Sequence, residues 1–333
     1  MLTVGIDVSA LALTRAGTAR YLLSLAAALE REGTVALRRY GFGGAGRVTA
    51  AVRDAGWYPT VLPRLAARDR VDVLHCPTQR APVRSTVPVV VTLHDVAVLR
   101  HPFLFNSWSR RYSARMLPRV AAAAAAVLVD SDFTRREAIE LLEIDEERLH
   151  VVPLGVGPPF TPEGPAASGD YVLAVSTLEP RKNLTRLAEG FAAAALTGCE
   201  LRVVGAAGWG GVRVAGGGVR LLGEVGDDEL AALYRGARCV AYCSLYEGFG
   251  LPVLEAMACG APVVTSTAPA LLEVGGDAVV AVDAVDPAAI AAGLVEVVER
   301  RRELGASGVA RAASFQWRET ARATAAVYRA VAA

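Results

Sequence analysis

Cys239-Val-Ala-Tyr-Cys243-Ser-Leu-Tyr-Glu247-Gly248-Phe249-Gly250-Leu251-Pro252-Val-Leu-Glu255-Ala-Met-Ala-Cys259-Gly260 reads in three parts. The apolar run Cys239 to Cys243 predicts a strand, a loop with Glu247 and two glycines follows, and Pro252 opens a predicted helix to Cys259, where its missing N–H costs nothing. The glycines leave backbone N–H groups bare at a helix N-terminus, which suits a phosphate or sugar oxygen. Glu247 projects from the loop, and Glu255 stands about one turn into the helix on the same side. Two carboxylates so placed would grip vicinal hydroxyls, one set on a sugar and one on a ribose. The alternative is a pair of exposed glutamates on an ordinary helix cap.

Outward from this stretch, strands and helices alternate along the whole chain, the pattern of a parallel sheet covered on both faces. The 333 residues exceed what one core usually supports and point to two domains. In the first half, strands are predicted at Leu2 to Asp7, Val35 to Tyr40, Val71 to His75, Val87 to Leu93, Ala126 to Asp130 and Leu149 to Pro153, with helices at Arg20 to Glu32 and Asp132 to Leu142. The stretch Gly155 to Gly169, with Pro158, Pro159, Pro162 and Pro165, cannot continue helix or sheet and reads as an interdomain linker. Alternation restarts with strands Tyr171 to Ser176, Glu200 to Val204, Val219 to Leu222, Pro262 to Ser266 and Ala278 to Val282, and helices Leu184 to Ala195, Asp227 to Arg235 and Pro287 to Arg302. The tail Ser314 to Ala333 is helical in pattern. The expected organisation is 1–156, linker 157–169, 170–312, and a tail 313–333. Doubly wound domains bind ligands outside the carboxyl ends of their strands, so two facing domains would enclose a cleft.

Composition narrows the function. A net charge of +1 with Arg, Asp and Glu intermixed gives no basic field for nucleic acid. The N-terminus lacks a secretory layout, and the longest apolar run, Val120 to Val129, is too short to span a bilayer. Five cysteines without a C-x-x-C pair suggest reduced thiols and a cytoplasmic setting, with peripheral membrane contact left open. Gly41 to Gly46 matches G-x-G-x-x-G but follows the second strand of its unit, not the first, so it reads as a tight turn. No phosphate-loop motif and no G-x-S-x-G elbow is present.

The chain holds one lysine, Lys182, within Leu178-Glu179-Pro180-Arg181-Lys182-Asn183. Two cations and an Asn N-cap candidate at a helix start suit a diphosphate: Arg binds bidentately, and Lys supplies a compact point charge. Cations already in place would lower the barrier to phosphate departure by preorganised electrostatics, with no metal required.

These two segments, with Pro262-Val-Val-Thr-Ser266, closely resemble retaining glycosyltransferases of the GT-B fold, family 4 (glycosyl transferases group 1). Weaker matches are Ala16 to Tyr21, Thr92-Leu-His94-Asp95 with His101-Pro102, Asp130 to Thr134, Val152 to Val156 and Leu222 to Val225. Leu154 and Cys243 stand where relatives often carry Asn and Pro. The resemblance implies an α/β architecture of two Rossmann-like doubly wound domains, with the sugar nucleotide on the C-terminal domain and the acceptor on the N-terminal one. It implies that Arg181 and Lys182 hold the diphosphate and Glu255 the ribose. Glu247 with Gly248, Phe249, Gly250 and Leu251 would hold the transferred sugar and phosphate. Val225 and Leu230 would flank the base, Gly205 and Gly17 would lie by the donor, and His94 would contact the sugar. The tail helix would return to the N-terminal domain. The implied reaction is metal-independent transfer of a hexose, with mannose as the analogy, to a glycan, lipid-linked or secondary-metabolite acceptor, without a cofactor. A sugar-nucleotide epimerase on the same architecture and a non-catalytic nucleotide-sugar-binding protein are the competing readings.

Overall fold

The structure is a computed structural model that describes residues 1–333 except Thr14 to Ala16, Ala45, Arg213, Ala215 and the side chain of Arg47. The resemblance at Ala16 and the fifth position of the glycine-rich turn, Ala45, therefore lie outside the described residues. Among those described, the strands form two six-stranded parallel sheets. The first contains β1 (Leu2–Asp7), β2 (Val35–Tyr40), β3 (Val73–Cys76), β4 (Val89–Leu93), β5 (Ala126–Val129) and β6 (Leu149–Val151) in the order β2-β1-β3-β4-β5-β6. The second contains β7 (Tyr171–Val175), β8 (Glu200–Val204), β9 (Val219–Gly223), β10 (Cys239–Tyr242), β11 (Val263–Ser266) and β12 (Val279–Val282), ordered β12-β11-β10-β7-β8-β9. The central strands β3, β4, β5, β10 and β11 are buried along their whole length, as strands covered by helices on both faces must be. That is why their sequences are mostly Val, Leu and Ala and do not alternate with charged residues.

Two compact units result, Met1–Gly155 with Trp317–Ala333, and Val156–Gln316. Each has its own core, one around Leu74, Val91, Val127 and Leu117, the other around Val172, Val203, Val264 and Ile290. The proline-rich stretch runs against the helix Asp227–Gly236, where the Arg235 guanidinium donates to the carbonyls of Pro159, Thr161 and Pro165. The last helix, Trp317–Ala332, packs on the helix Gly17–Glu32 of the first unit, and Thr320 donates to the Pro153 carbonyl at 2.8 Å. Periodicity shows only that this helix has an apolar stripe. Its partner is set by the surface that the first sheet leaves open.

Several boundaries differ from the sequence reading. β3 and β4 begin two residues late, because Val71 and Val87 are buried by the preceding turns rather than paired in the sheet. The predicted helix Pro287 to Arg302 is two helices, Pro287–Glu299 and Arg301–Ala312, which part at Arg300 (φ −90°, ψ 15°). No Gly or Pro marks the break. The second helix is drawn against its neighbours through its glycines: a Cβ at Gly305 would stand 2.8 Å from the Gly260 carbonyl oxygen. The glycine-rich segment follows β2, which pairs only with β1 at the sheet edge. No helix among the described residues is long and apolar enough to cross a membrane.

Candidate active site

In the second sheet the strand order reverses between β7 and β10, and a doubly wound sheet opens its binding crevice outside the carboxyl ends of such a pair. The loops that leave these two strands carry the two segments singled out from the sequence. After β7 the chain makes a single 3₁₀ turn, Pro180–Lys182, before the helix Leu184–Ala193. After β10 a loop leads to the helix Leu251–Ala258, with Pro252 in its first turn and Gly250 at φ +115°. A side chain at Gly250 would be strained and would press its Cβ to 2.5 Å from Leu271.

Arg181 and Lys182 meet Glu247 here. Arg181 Nη1 donates to Glu247 Oε2 at 2.9 Å and to the Tyr246 carbonyl at 2.9 Å, and its Nη2 lies 2.8 Å from Glu179 Oε1. Lys182 Nζ donates to Glu247 Oε1 at 2.6 Å and to the Tyr242 hydroxyl at 2.8 Å, while that hydroxyl donates to the same carboxylate at 2.9 Å. Glu247 is thus not an exposed helix-cap glutamate; it is buried, and its two oxygens accept from Arg181, Lys182 and Tyr242. Burial alone would raise its carboxyl, but the adjacent Arg181 and Lys182 charges reverse this and bring it down to about 2. Burial, followed by the Arg181 charge, pushes the Lys182 ammonium below its ordinary value in spite of Glu247. Glu179 is raised by burial, against the pull of Arg181.

Asn183 departs from the sequence expectation. It occupies the N-cap position but in the left-handed conformation (φ 58°), and its side chain makes no cap bond. Its Nδ2 instead donates to the carbonyls of Cys243 (3.1 Å) and Ala284 (2.6 Å), which ties the β7 loop to the ends of two other segments of the unit. Its Oδ1, the acceptor that a cap would use, takes a bond from Arg186 Nη1 at 3.0 Å instead. Ser266 Oγ donates to the Ser244 carbonyl and Thr265 Oγ1 to the Tyr242 carbonyl, so β11 braces the same loop.

Glu255 is 1% exposed, and the Tyr234 hydroxyl donates to it at 3.2 Å. Gly205 (φ +150°) lies where a Cβ would come within 2.0 Å of the Ser176 carbonyl oxygen, so the β7 and β8 ends touch backbone to backbone. Leu230, Gly248, Phe249 and Leu251 are buried and Val225 half-buried in the same unit. The structure therefore gathers Arg181, Lys182 and Glu247 into one cluster. Tyr242 and Tyr234 are the members that sequence reading missed. Tyr242 ends β10 and Tyr234 lies in the helix Asp227–Gly236, and nothing local distinguishes either from a core aromatic.

His94 and Gly17 belong to the first unit. His94 Nδ1 lies 2.6 Å from Asp130 Oδ2, and the ring packs edge-on against Tyr21. Burial opposes the imidazolium, but Asp130 outweighs it through charge and hydrogen bond, so His94 titrates above its ordinary value. Behind it runs a buried chain that the sequence did not reveal: Tyr21 to Thr92, Thr92 to His75, and His75 to Tyr328 of the last helix, at 2.9, 2.8 and 2.7 Å. Burial pushes His75 down to about 3, which leaves it neutral. Gly17 opens the helix Gly17–Glu32, and a Cβ there would meet nothing within 4 Å.

Comparison with known proteins agrees with this architecture. Residues 15–158 match the description Glycosyltransferase Family 4 and residues 169–300 match Glycosyl transferases group 1. The O-antigen chain mannosyltransferase B of Escherichia coli is 34% identical over 283 residues, 76% of this chain and 73% of that protein. Sucrose-phosphate synthase from Thermosynechococcus elongatus has a similar fold, with a TM-score of 0.78 at 17% identity over 99% of both chains. The Anabaena protein HepE, solved with UDP and glucose, has a TM-score of 0.74 at 17% identity over 99% of this chain and all of the other.

Proposed function

This chain belongs to glycosyltransferase family 4, with the GT-B fold, and on that premise we propose that it transfers a hexose from a nucleoside-diphosphate sugar with retention of anomeric configuration and without a metal ion. The observation that carries this reading is the Arg181–Lys182–Glu247 cluster at the reversal of the second sheet, beside an uncapped helix N-terminus at Leu251. Glu247 holds both cations in place before any donor arrives, so their charge needs no reorganisation when negative charge develops on the departing phosphate. The bond between the anomeric carbon and the diphosphate oxygen breaks, and the acceptor oxygen bonds to the same face. The acceptor proton passes to the leaving phosphate. The backbone N–H groups from Gly248 to Leu251 would receive phosphate or sugar oxygens. Glu255 is assigned to the ribose by its place one turn into the following helix, Val225 and Leu230 to the base, and Gly205 and Gly17 to close approach of the donor. His94, oriented by Asp130, is assigned to a sugar hydroxyl.

Metal independence is supported by the cationic cluster itself, which already supplies the positive charge that a metal would bring to the phosphate. The E. coli relative's name supports mannose as the first donor sugar to test, and the UDP bound by the Anabaena protein supports including UDP sugars. The five free cysteines support a cytoplasmic setting. Thermal-shift screening against UDP, GDP, dTDP and ADP sugars tests the reading, since binding to the folded state raises apparent stability. Stabilisation by one donor, followed by nucleotide release with an acceptor and no change of release on adding a chelator, is the expected result. Stabilisation by none overturns it.

A further inference from the structure

The segment Arg53–Val61, between β2 and β3, contains a cation that the donor site does not use. Arg53 is 3% exposed, yet its Nε and Nη1 are both buried without a hydrogen-bond partner. Asp54 beside it accepts from Arg80 Nε at 3.1 Å through Oδ1, and its Oδ2 is buried without a partner. The Arg80 guanidinium stands 5.1 Å from the centre of the Tyr112 ring. Burial and the Asp54 charge raise the Tyr112 phenol while Arg80 and Arg53 oppose them, so all four groups lie within electrostatic reach. Tyr58, on the same segment as Arg53, donates to Asp7 Oδ2 at 3.1 Å and fastens that segment to the carboxyl end of β1. Arg80 follows β3, and β1 and β3 flank the point where the first sheet's strand order reverses.

Two guanidinium groups stand here with one carboxylate, Asp54, which pairs with Arg80 and leaves Arg53 Nε and Nη1 without a partner. Folded proteins rarely keep a buried arginine in that state, because desolvation is then uncompensated. Arg80 keeps 29% of its side chain exposed, so the cluster opens to solvent on that side. We propose that Arg53 and Arg80 form a binding site for an oxyanion, a phosphate or a carboxylate, carried by the acceptor. Arg presents a planar fork that suits either group, and the reversal of a doubly wound sheet is where such a ligand enters. The word acceptor rests on the glycosyltransferase reading; the anion site itself does not.

The test is calorimetric titration with inorganic phosphate, and separately with malonate, on the full chain held in saturating nucleoside diphosphate so that the donor site is filled. Arg53→Gln is expected to weaken binding of the preferred anion at least about tenfold, as loss of charge-assisted hydrogen bonds would. It should also leave the anion-free melting temperature unchanged or raised, because an uncompensated charge is removed. Phosphate binding without malonate binding assigns a phosphorylated acceptor, and the reverse assigns a carboxylate. Wild-type protein that binds neither anion overturns the proposal. So does Arg53→Gln that binds as wild type while melting lower, since that is the signature of a purely structural arginine. Donor binding and nucleotide release are read in the same samples: their failure with the anion response intact falls on the transferase chemistry, not on this site.

Discussion

Lys182→Ala removes the chain's single lysine ammonium, which the proposed mechanism sets beside the departing phosphate. Two bonds vanish, one to Glu247 Oε1 at 2.6 Å and one to the Tyr242 hydroxyl at 2.8 Å. Glu247 keeps its Arg181 and Tyr242 contacts, so the loss in folding stability is expected below the roughly 3–5 kcal/mol of a fully orphaned buried charge. Catalysis suffers more. One preorganised donor at a developing oxyanion contributes about 100- to 1000-fold in kcat, so turnover should fall by about that factor. With Arg181 still in place for the diphosphate in the proposed mechanism, donor affinity should change by less than about tenfold. The assay pairs nucleotide release at saturating donor and acceptor with direct titration of the nucleoside diphosphate, after circular dichroism has established that the variant is folded. A folded Lys182→Ala enzyme with turnover within about tenfold of wild type would refute the assigned role. An equal loss in binding and turnover would refute the claim that Lys182 acts chiefly on the transition state.

Three further outcomes follow from the same geometry. Glu247 is depressed to about 2 from an ordinary 4.5, so its stabilisation is complete above about pH 4.5 and disappears as pH falls from there toward 2, worth about 3 kcal/mol in all. In urea titrations Glu247→Gln should flatten that part of the stability profile, and an unchanged slope would contradict the buried ion pair. Asn183→Asp keeps the left-handed turn but cannot donate to the Cys243 and Ala284 carbonyls, so a loss of about 2 kcal/mol or more is expected, and wild-type stability would show those bonds to be idle. His94 is raised by Asp130, so this pair stabilises the fold below the ordinary histidine value and ceases to as pH rises through the folded one. The stability gap between wild type and Asp130→Asn should therefore be wider at pH 5 than at pH 9, with the His94 proton resonance titrating at lower pH in the variant; a constant gap would argue against a charged pair.

The residues themselves determined the architecture, because helix and strand periods are local properties and the buried parallel strands announce themselves as apolar runs such as Val89 to Val91 and Ala126 to Val129. They also marked both segments that meet in the Arg181–Lys182–Glu247 cluster, since Gly248, Gly250, Pro252 and the solitary Lys182 are each unusual for their neighbourhoods. The break at Arg300 was not legible, because no Gly or Pro marks it and the close approach of Gly305 to the Gly260 backbone beyond it is a contact made in space. Nor was the use of Asn183, whose Nδ2 is fixed by the distant Cys243 and Ala284 carbonyls while its Oδ1 accepts from Arg186 rather than from a helix amide. The central fact of the site was beyond sequence for the same reason. Arg181 and Glu247 stand 66 residues apart, and only the pairing of β7 with β10 at the sheet's reversal brings them to 2.9 Å. Sequence proposed two carboxylates reaching for hydroxyls; tertiary structure turned Glu247 inward as the anion that positions two cations, because a buried carboxylate must take its bonds from whatever donors the fold places beside it.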